Sequence, residues 1–166
     1  GLRIGEVYSI TIDQVDFRNR IIKIGKLKGT KRAYITFLHE RTMELVKSDY
    51  LKYRDEFVAE YASAVKNIGM DPGSWTRKLF PFKDDTLKME IKRGMRDVLG
   101  KEFRLYDLRA FWASYMIKQG VSPMIVNLLQ GRVPPQQFQI LQNHYFVISD
   151  IELKETYDKY APRLLS

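Results

Sequence analysis

Arg109 lies at the border of an apolar pattern typical of a helix. Apolar side chains around it recur at steps of three and four residues, which predicts one buried helix face formed by Leu105, Leu108, Phe111, Trp112, Tyr115 and Met116. A guanidinium at the border of such a face either packs its stem along the core or points into a cleft. In a cleft, its planar fork of donors would match two phosphate oxygens. The helix alone leaves both interpretations open.

Other kinds of catalytic site find little support in the composition. The chain has no cysteine, which excludes disulfides, thiolate catalysis and cysteine-bound zinc. Its two histidines, His39 and His144, are far apart in sequence and have no carboxylate cluster at metal-ligand spacing. Neither a glycine-rich phosphate loop nor the nucleophile elbow of a serine hydrolase is present. We therefore expect neither a metal nor another cofactor.

The remaining candidates for catalytic groups are the lysine, arginine and tyrosine side chains. The lysines and arginines also make the chain strongly basic. Lys and Arg total 28 against 20 Asp and Glu, which gives a net charge of +8. A basic domain attracts polyanions, of which nucleic acid is the commonest, although a merely soluble basic surface has the same composition. Several of the cations lie in the segment 26–32, a turn around Gly29 between two strand-like stretches.

The elements that must position these groups are mainly helical. Three short runs rich in β-branched residues predict a small antiparallel sheet near the N-terminus, at 15–17, 21–24 and 33–37. Apolar periodicity, caps and stop residues predict helices over 2–9, 39–65, 84–99, 105–119, 123–131 and 149–164. The predicted fold class is α+β, mainly α, in a single domain over 1–166. The abrupt start at Gly1 indicates a fragment of a longer protein. No apolar run is long enough for a transmembrane helix.

The long helix carries a stripe that we expect to face the core, formed by Met43, Val46, Tyr50, Tyr53, Phe57, Tyr61 and Ala64. The loop after it contains glycines and prolines, and we expect Trp75, Phe80 and Phe82 to hold it against the domain.

Four segments resemble, in the right order, the catalytic domain of the tyrosine recombinases or phage-type integrases. The segment Gly1–Glu6 is similar to the first-arginine motif of that family, G-L-R-x-S/G-E. The basic turn Lys28–Arg32, before a strand, is similar to the hairpin that carries the family's lysine. Leu105–Arg109 resembles the H-x-L-R box, and Leu128–Arg132 resembles L-L-G-H. Tyr145 follows thirteen residues after Arg132, where the family has its nucleophile.

The resemblance implies DNA strand cleavage and rejoining without a metal or ATP. A tyrosine, here Tyr145, attacks the scissile phosphate, forms a 3′-phosphotyrosyl link and releases a 5′-hydroxyl. Arg3, Arg109 and Arg132 would stabilise the non-bridging phosphate oxygens, each as a preorganised donor. Lys28 would act as the general acid that protonates the 5′-hydroxyl.

Several positions retain a plainer interpretation. Lys26 and Lys31 compete with Lys28 for the acid role, and all three suit a charge run that contacts the DNA backbone. We expect Lys26, Lys31, Arg32 and His144 to bind DNA. Arg3 can simply pair with Glu6, three residues on. Arg132 can be a solvated loop arginine.

Two departures from the family pattern concern its histidines. Tyr106 stands in place of the histidine of the H-x-L-R box, and Arg132 in place of the histidine of L-L-G-H. These replacements resemble those in integrases of archaeal fuselloviruses. Either imidazole would have been a natural general base, so the base remains unassigned. Tyr106 would hydrogen-bond the phosphate or pack in the missing histidine's place.

The resemblance also implies partners and a setting. Double-stranded DNA at attachment sites would be the substrate, in the cytoplasm of a host cell, with a viral genome integrated or excised. The protein would assemble as a tetramer on DNA. The last helix would dock on a neighbouring protomer or fold back onto its own domain, through a stripe of Leu153, Tyr157, Tyr160 and Leu164. Cleavage within one subunit or between subunits stays open.

Three other functions fit parts of the same sequence. A type IB topoisomerase-like domain would use the same arginine, lysine and tyrosine chemistry. A non-catalytic DNA-binding module would explain the two replaced histidines and would bind in a salt-sensitive manner. A basic domain that binds RNA or an acidic protein would leave the order of the four segments as coincidence.

Overall fold

The computed structural model describes residues 1–24, 35–67, 73–131 and 148–163. Helices dominate these residues, as predicted, and they are α1 (Ile4–Ser9), α2 (Glu40–Leu45), α3 (Leu51–Asn67), α4 (Asp84–Leu99), α5 (Leu105–Lys118), α6 (Pro123–Leu129) and α7 (Asp150–Tyr160). Single 3₁₀ turns lie at Ile12–Gln14 and Ser74–Arg77. In the part of the chain that is described, no helix is both long and apolar enough to cross a bilayer.

The predicted three-stranded antiparallel sheet is present near the N-terminus. Its strands are β1 (Val15–Asp16), β2 (Ile21–Ile22) and β3 (Thr36–Phe37), in the order β1-β2-β3. Val15 pairs with Ile22, and Ile22 pairs in turn with Thr36. The sheet lies between two hydrophobic clusters, because Val15 and Ile22 belong to one and Phe37 to the other.

The larger cluster joins β3 to the last three helices, α5, α6 and α7. Its buried members include Phe37 from β3, Trp112 and Met116 from α5, Leu129 from α6, and Tyr157 from α7. The inner face of α7 is therefore filled by its own domain. Of the stripe expected on the last helix, Leu153, Tyr157 and Tyr160 pack onto the same chain, and Leu164 lies outside the described residues.

The long helix begins at Glu40 and contains one π-helical stretch, Val46–Tyr50, between α2 and α3. A π turn inserts a residue into the helical register, which shifts the buried face. Met43 is buried as expected, but Tyr53 is 57% exposed and Arg54 only 6% exposed. The expectation that Tyr53 faces the core was wrong, as it was for Tyr61 and Ala64, which are also exposed.

Arg54 occupies that inward position because it binds the loop after α3. Its guanidinium donates to the backbone carbonyls of Thr76 and Lys78 at 2.6–2.9 Å. Next to it, Phe57 packs on the rings of Trp75 and Phe82, which confirms that these aromatic residues hold the loop down.

Three helix ends agree with the predicted signals. Gly100 ends α4 with a left-handed backbone at φ 65°, and Ser122 accepts from the Met124 N–H at the start of α6. Ser149 and Glu152 form the predicted capping box of α7. Further along α7, Asp158 accepts two hydrogen bonds from Arg20, at 2.7 and 2.9 Å, which ties this helix to the sheet.

Candidate active site

Arg109 lies at the centre of the buried face of α5, not at its border as the sequence predicted. Arg109 is only 4% exposed, with Trp112 and Met116 buried on the same face. Leu108 and Phe111, which the apolar pattern predicted to be buried, are 43% and 51% exposed. That prediction was wrong because hydrophobicity alone placed the stripe, whereas the helix turns its guanidinium inward toward polar partners.

Two backbone carbonyls from distant parts of the chain fix the Arg109 guanidinium. Nη1 donates to the oxygen of Gly1 at 2.5 Å, and Nη2 donates to the oxygen of Gln130 at 2.7 Å. The first joins α5 to the segment before α1, and the second joins it to the end of α6. Such contacts compensate for desolvation of the guanidinium and set the plane of its fork.

Arg3 reaches the same place from the N-terminus of α1. Its Nη1 donates to Oε1 of Glu6 at 2.6 Å and to the carbonyl of Gly131 at 3.3 Å. The Arg3 side chain is 32% exposed, so it can meet a ligand without rearrangement. Gly131 immediately precedes Arg132 in the sequence.

Glu6 is the anion that the two arginines share. It is 2% exposed; its Oε1 pairs with Arg3, and its Oε2 lies 3.8 Å from Nη1 of Arg109. Oε2 also accepts from the Arg3 backbone N–H at 2.6 Å, which closes the first turn of α1. Sequence reasoning treated Glu6 only as a surface partner of Arg3; its place in the G-L-R-x-S/G-E motif was the available signal.

Gly1 packs directly against the indole of Trp112. A Cβ added at Gly1 would lie 2.6 Å from the Trp112 ring. Cβ atoms in proteins do not come this close to other side chains. The lack of a side chain thus lets the Gly1 carbonyl reach Arg109, one helical turn before Trp112 on α5.

Gln130 is a second buried polar residue that sequence reasoning did not single out. It is 0% exposed, and its Nε2 donates to the backbone carbonyl of Arg109 at 3.0 Å. The signal was present in the sequence, since an amide directly after the apolar pair Leu128–Leu129 needs a hydrogen-bond partner where it is buried.

Comparison with known proteins agrees with this geometry. The model of the phage integrase family matches residues 1–133, which include Arg3, Glu6 and Arg109. The chain belongs to the phage integrase family. Members of this family are tyrosine recombinases, which transfer DNA strands.

Relatives of this phage integrase domain include both bacterial and archaeal proteins. Transposase A from transposon Tn554 of Staphylococcus aureus is 29% identical over 98% of the chain. Tyrosine recombinase XerA of Saccharolobus solfataricus is 26% identical over 91% of the chain. The chain spans only 45% and 44% of the length of these two relatives. A crystal structure of XerA recombinase has the same fold, with a TM-score of 0.59 and 22% identity over 98% of this chain and 54% of that one.

The described part of the phage integrase domain brings together Arg3 and Arg109 from the predicted site. Tyr106 lies on the first turn of α5 and is 64% exposed, so it does not pack in the core. The other predicted site residues lie outside the described residues, and they are Lys26, Lys28, Lys31, Arg32, Arg132, His144 and Tyr145.

Two described tyrosines are poor candidates for the nucleophile of this phage integrase domain. Burial raises the pKa of Tyr50 to about 12 and that of Tyr157 also to about 12. Tyr50 also donates its hydroxyl hydrogen to the carbonyl of Leu79 at 2.7 Å. A tyrosine attacks phosphorus as the phenolate, so both environments disfavour the reactive form.

Proposed function

We propose that this chain is the catalytic domain of a site-specific DNA recombinase that cleaves and rejoins strands through a 3′-phosphotyrosyl intermediate. The observation that carries the proposal is the convergence of Arg3 and Arg109, 106 positions apart in the sequence, on Glu6 and on the carbonyls of residues 130–131. Arg3 and Arg109 are thus held beside Gly131, the residue before Arg132. Two guanidinium groups fixed in this way suit a phosphate whose negative charge increases in the transition state.

The proposed reaction keeps the phosphodiester energy in a covalent link. The Tyr145 phenol oxygen bonds to phosphorus as the bond from phosphorus to the 5′-oxygen breaks, and Lys28 protonates that leaving oxygen. Arg3, Arg109 and Arg132 stabilise the non-bridging oxygens. Attack by another strand's 5′-hydroxyl on the phosphotyrosine reverses the step and rejoins DNA.

Because Arg109 is buried, the proposed reaction requires a change at the site before DNA can contact this side chain. The Arg109 side chain is 3% exposed and that of Arg3 is 32% exposed. DNA therefore meets Arg3 first, and contact of a phosphate with Arg109 requires the site to open. Once water is excluded, the remaining interactions act in a low dielectric and are strengthened.

The biological setting is also part of the proposal. The substrate is double-stranded DNA at attachment sites, and the reaction integrates or excises a viral genome in the host cytoplasm. The support is the pair of departures at Tyr106 and Arg132, which resemble fusellovirus integrases. The chain is one domain, which works with N-terminal DNA-binding regions and assembles as a tetramer on DNA.

A nicked suicide substrate tests the chemistry. The full-length protein is incubated with attachment-site DNA nicked close to the scissile phosphate, so that the cleaved end diffuses away, and products are separated on a denaturing gel. We expect a covalent adduct with the wild type and with Tyr53→Phe, a matched tyrosine that is 57% exposed. We expect none with Tyr145→Phe.

Each other outcome selects a different account. An adduct that persists in Tyr145→Phe moves the nucleophile to another tyrosine. Salt-sensitive DNA binding without an adduct would leave a non-catalytic DNA-binding module, a reading that the burial of Arg109 favours. Relaxation of supercoiled DNA without joining of two sites would indicate a type IB topoisomerase-like activity.

A further inference from the structure

We infer that Gln130 is a positioning residue for strand cleavage, because it holds Arg109 from two sides at once. This inference rests on the proposed function. The Gln130 backbone oxygen accepts from Nη2 of Arg109 at 2.7 Å, while its side-chain Nε2 donates to the Arg109 backbone oxygen at 3.0 Å. One residue thus fixes both the guanidinium and the helix backbone that carries it.

The hydrogen bond from the Gln130 side chain matters more for the position of α6 against α5 than for satisfying the Arg109 carbonyl. Arg109 lies inside α5, so its carbonyl also belongs to the helix's own hydrogen-bond ladder. A carbonyl oxygen has two lone pairs and can take both donors. Loss of the Gln130 amide would leave that carbonyl paired, but it would free the end of α6 to shift along α5.

The oxygen of the Gln130 amide also supports a positioning role. Oε1 of Gln130 is buried and accepts no hydrogen bond from the residues that the structure describes. A fully buried amide with one satisfied end is a poor choice for stability alone, because an apolar side chain of equal size would avoid the desolvation cost. Its presence fits a role in geometry.

The chain continues from Gln130 through Gly131, whose carbonyl accepts from Arg3, to Arg132. The segment 130–131 therefore contacts Arg3 and Arg109, and it leads directly to Arg132, the third predicted site arginine. A shift of this segment by a fraction of an ångström would disturb the donors that face the phosphate, and small misplacements of such groups are costly in rate.

The test uses Gln130→Met in the full-length protein, with Leu129→Met as the control. Leu129 is the preceding residue, is 1% exposed and lies in the hydrophobic cluster. Single-turnover cleavage of the suicide substrate, DNA affinity and thermal unfolding are measured on each. For Gln130→Met we expect cleavage to slow by about 10- to 100-fold, with Tm within about 3 °C of the wild type and unchanged DNA affinity. Leu129→Met should cleave at the wild-type rate.

A double-mutant cycle with Arg109→Lys checks that Gln130 acts through Arg109. In the Arg109→Lys background, Gln130→Met should slow cleavage further by less than about threefold, because coupled residues are not additive. Multiplying factors would overturn the inference. So would a wild-type rate for Gln130→Met, or a slow rate accompanied by a large fall in Tm and DNA affinity, which is the pattern of an ordinary core residue.

The two proposals fail in different ways. If the wild type forms no adduct, the proposed function is overturned and this inference with it. If the wild type forms the adduct and Gln130→Met behaves like Leu129→Met, only the role of Gln130 is overturned. Should Gln130→Met not fold, Gln130→Asn keeps a buried amide but withdraws its donor, and the same slow cleavage is expected.

Discussion

Nη1 of Arg109 donates to the backbone oxygen of Gly1, so one hydrogen bond of 2.5 Å joins residues 108 positions apart. With Gln130 on its other side, the guanidinium is held by the two ends of the family match. These two hydrogen bonds fix the plane of the guanidinium, although the site must open before a phosphate reaches this buried side chain. The position of the Arg109 guanidinium therefore depends on how the segment before α1 and the end of α6 meet at α5.

Gly1→Ala should break that junction in the full-length protein. The added Cβ would meet the Trp112 ring at 2.6 Å, so the backbone must shift and carry its carbonyl away from Arg109. We expect slower cleavage and a loss of about 1–3 kcal/mol in unfolding free energy, as for overpacked cores. Urea unfolding and the adduct assay measure the two effects.

Gly94→Ala is the matched control for this change. Gly94 lies in α4, and a Cβ there meets nothing within 4 Å. Replacement of an exposed helical glycine should stabilise the protein by about 0.5–1 kcal/mol and leave cleavage unchanged. Equal behaviour of the two variants would mean that the Trp112 contact does not position Gly1.

Arg109→Lys should lower cleavage far more than DNA affinity. A lysine carries the charge but has no planar fork, so it cannot reach Gly1 and Gln130 in the same geometry. We expect the single-turnover rate to fall on the order of 10²–10³. The control is Arg104→Lys, since that side chain is 83% exposed and pairs with Asp107. A parallel loss of rate in both variants would contradict a specific role for Arg109.

Glu6→Gln should loosen both arginines without changing the shape of the site. The neutral amide keeps the size of the carboxylate but leaves two guanidinia without their shared anion, one of them buried. Because Arg3 is partly exposed, we expect a loss of about 2–3 kcal/mol in unfolding free energy, below the full cost of breaking a buried pair, together with slower cleavage.

The exposed pair of Glu44 and Arg41 gives the comparison for Glu6→Gln. Both side chains are more than half exposed, at 58% and 55%, so Glu44→Gln should change stability by less than about 1 kcal/mol. Glu6→Gln with as small an effect, in urea unfolding of both variants, would show that the buried carboxylate is not needed to hold the arginines.

The sequence was informative where local signals decide the structure. Caps and stops located α4, α6 and α7, because Gly100, Ser122 and the Ser149–Glu152 box act within a few residues of the helix ends. The three short strands also followed from alternation between turns. The motif resemblance placed Arg3 and Arg109 in one predicted site, and in the structure both side chains lie next to Glu6.

Where contacts distant in sequence decide the structure, the local pattern was misleading. Periodicity treated Arg109 as a border residue, but carbonyls of Gly1 and Gln130 turned it inward. A π turn moved Arg54 into the position expected for Tyr53, and only the carbonyls of the following loop explain its burial. Buried polar residues depend on partners that no local window contains.

The tie between α7 and the sheet should depend on pH through Asp158. Burial raises the pKa of this carboxyl, but hydrogen bonds from Arg20 and Lys154 outweigh it and hold the pKa below its usual 3.8. The folded state thus binds fewer protons than the unfolded state. The stabilisation is fully present above the unfolded pKa and is lost as the pH falls through the lower folded pKa.

Asp158→Asn should therefore destabilise the protein by about 1–2 kcal/mol at pH 7, and the difference from the wild type should shrink below pH 3.8. Urea unfolding at several pH values measures this difference. Glu155→Gln, an exposed change on the same helix, should show little effect at neutral pH. A deficit of Asp158→Asn that stays constant into acid would mean that ionisation of this carboxyl does not contribute to the tie between α7 and Arg20.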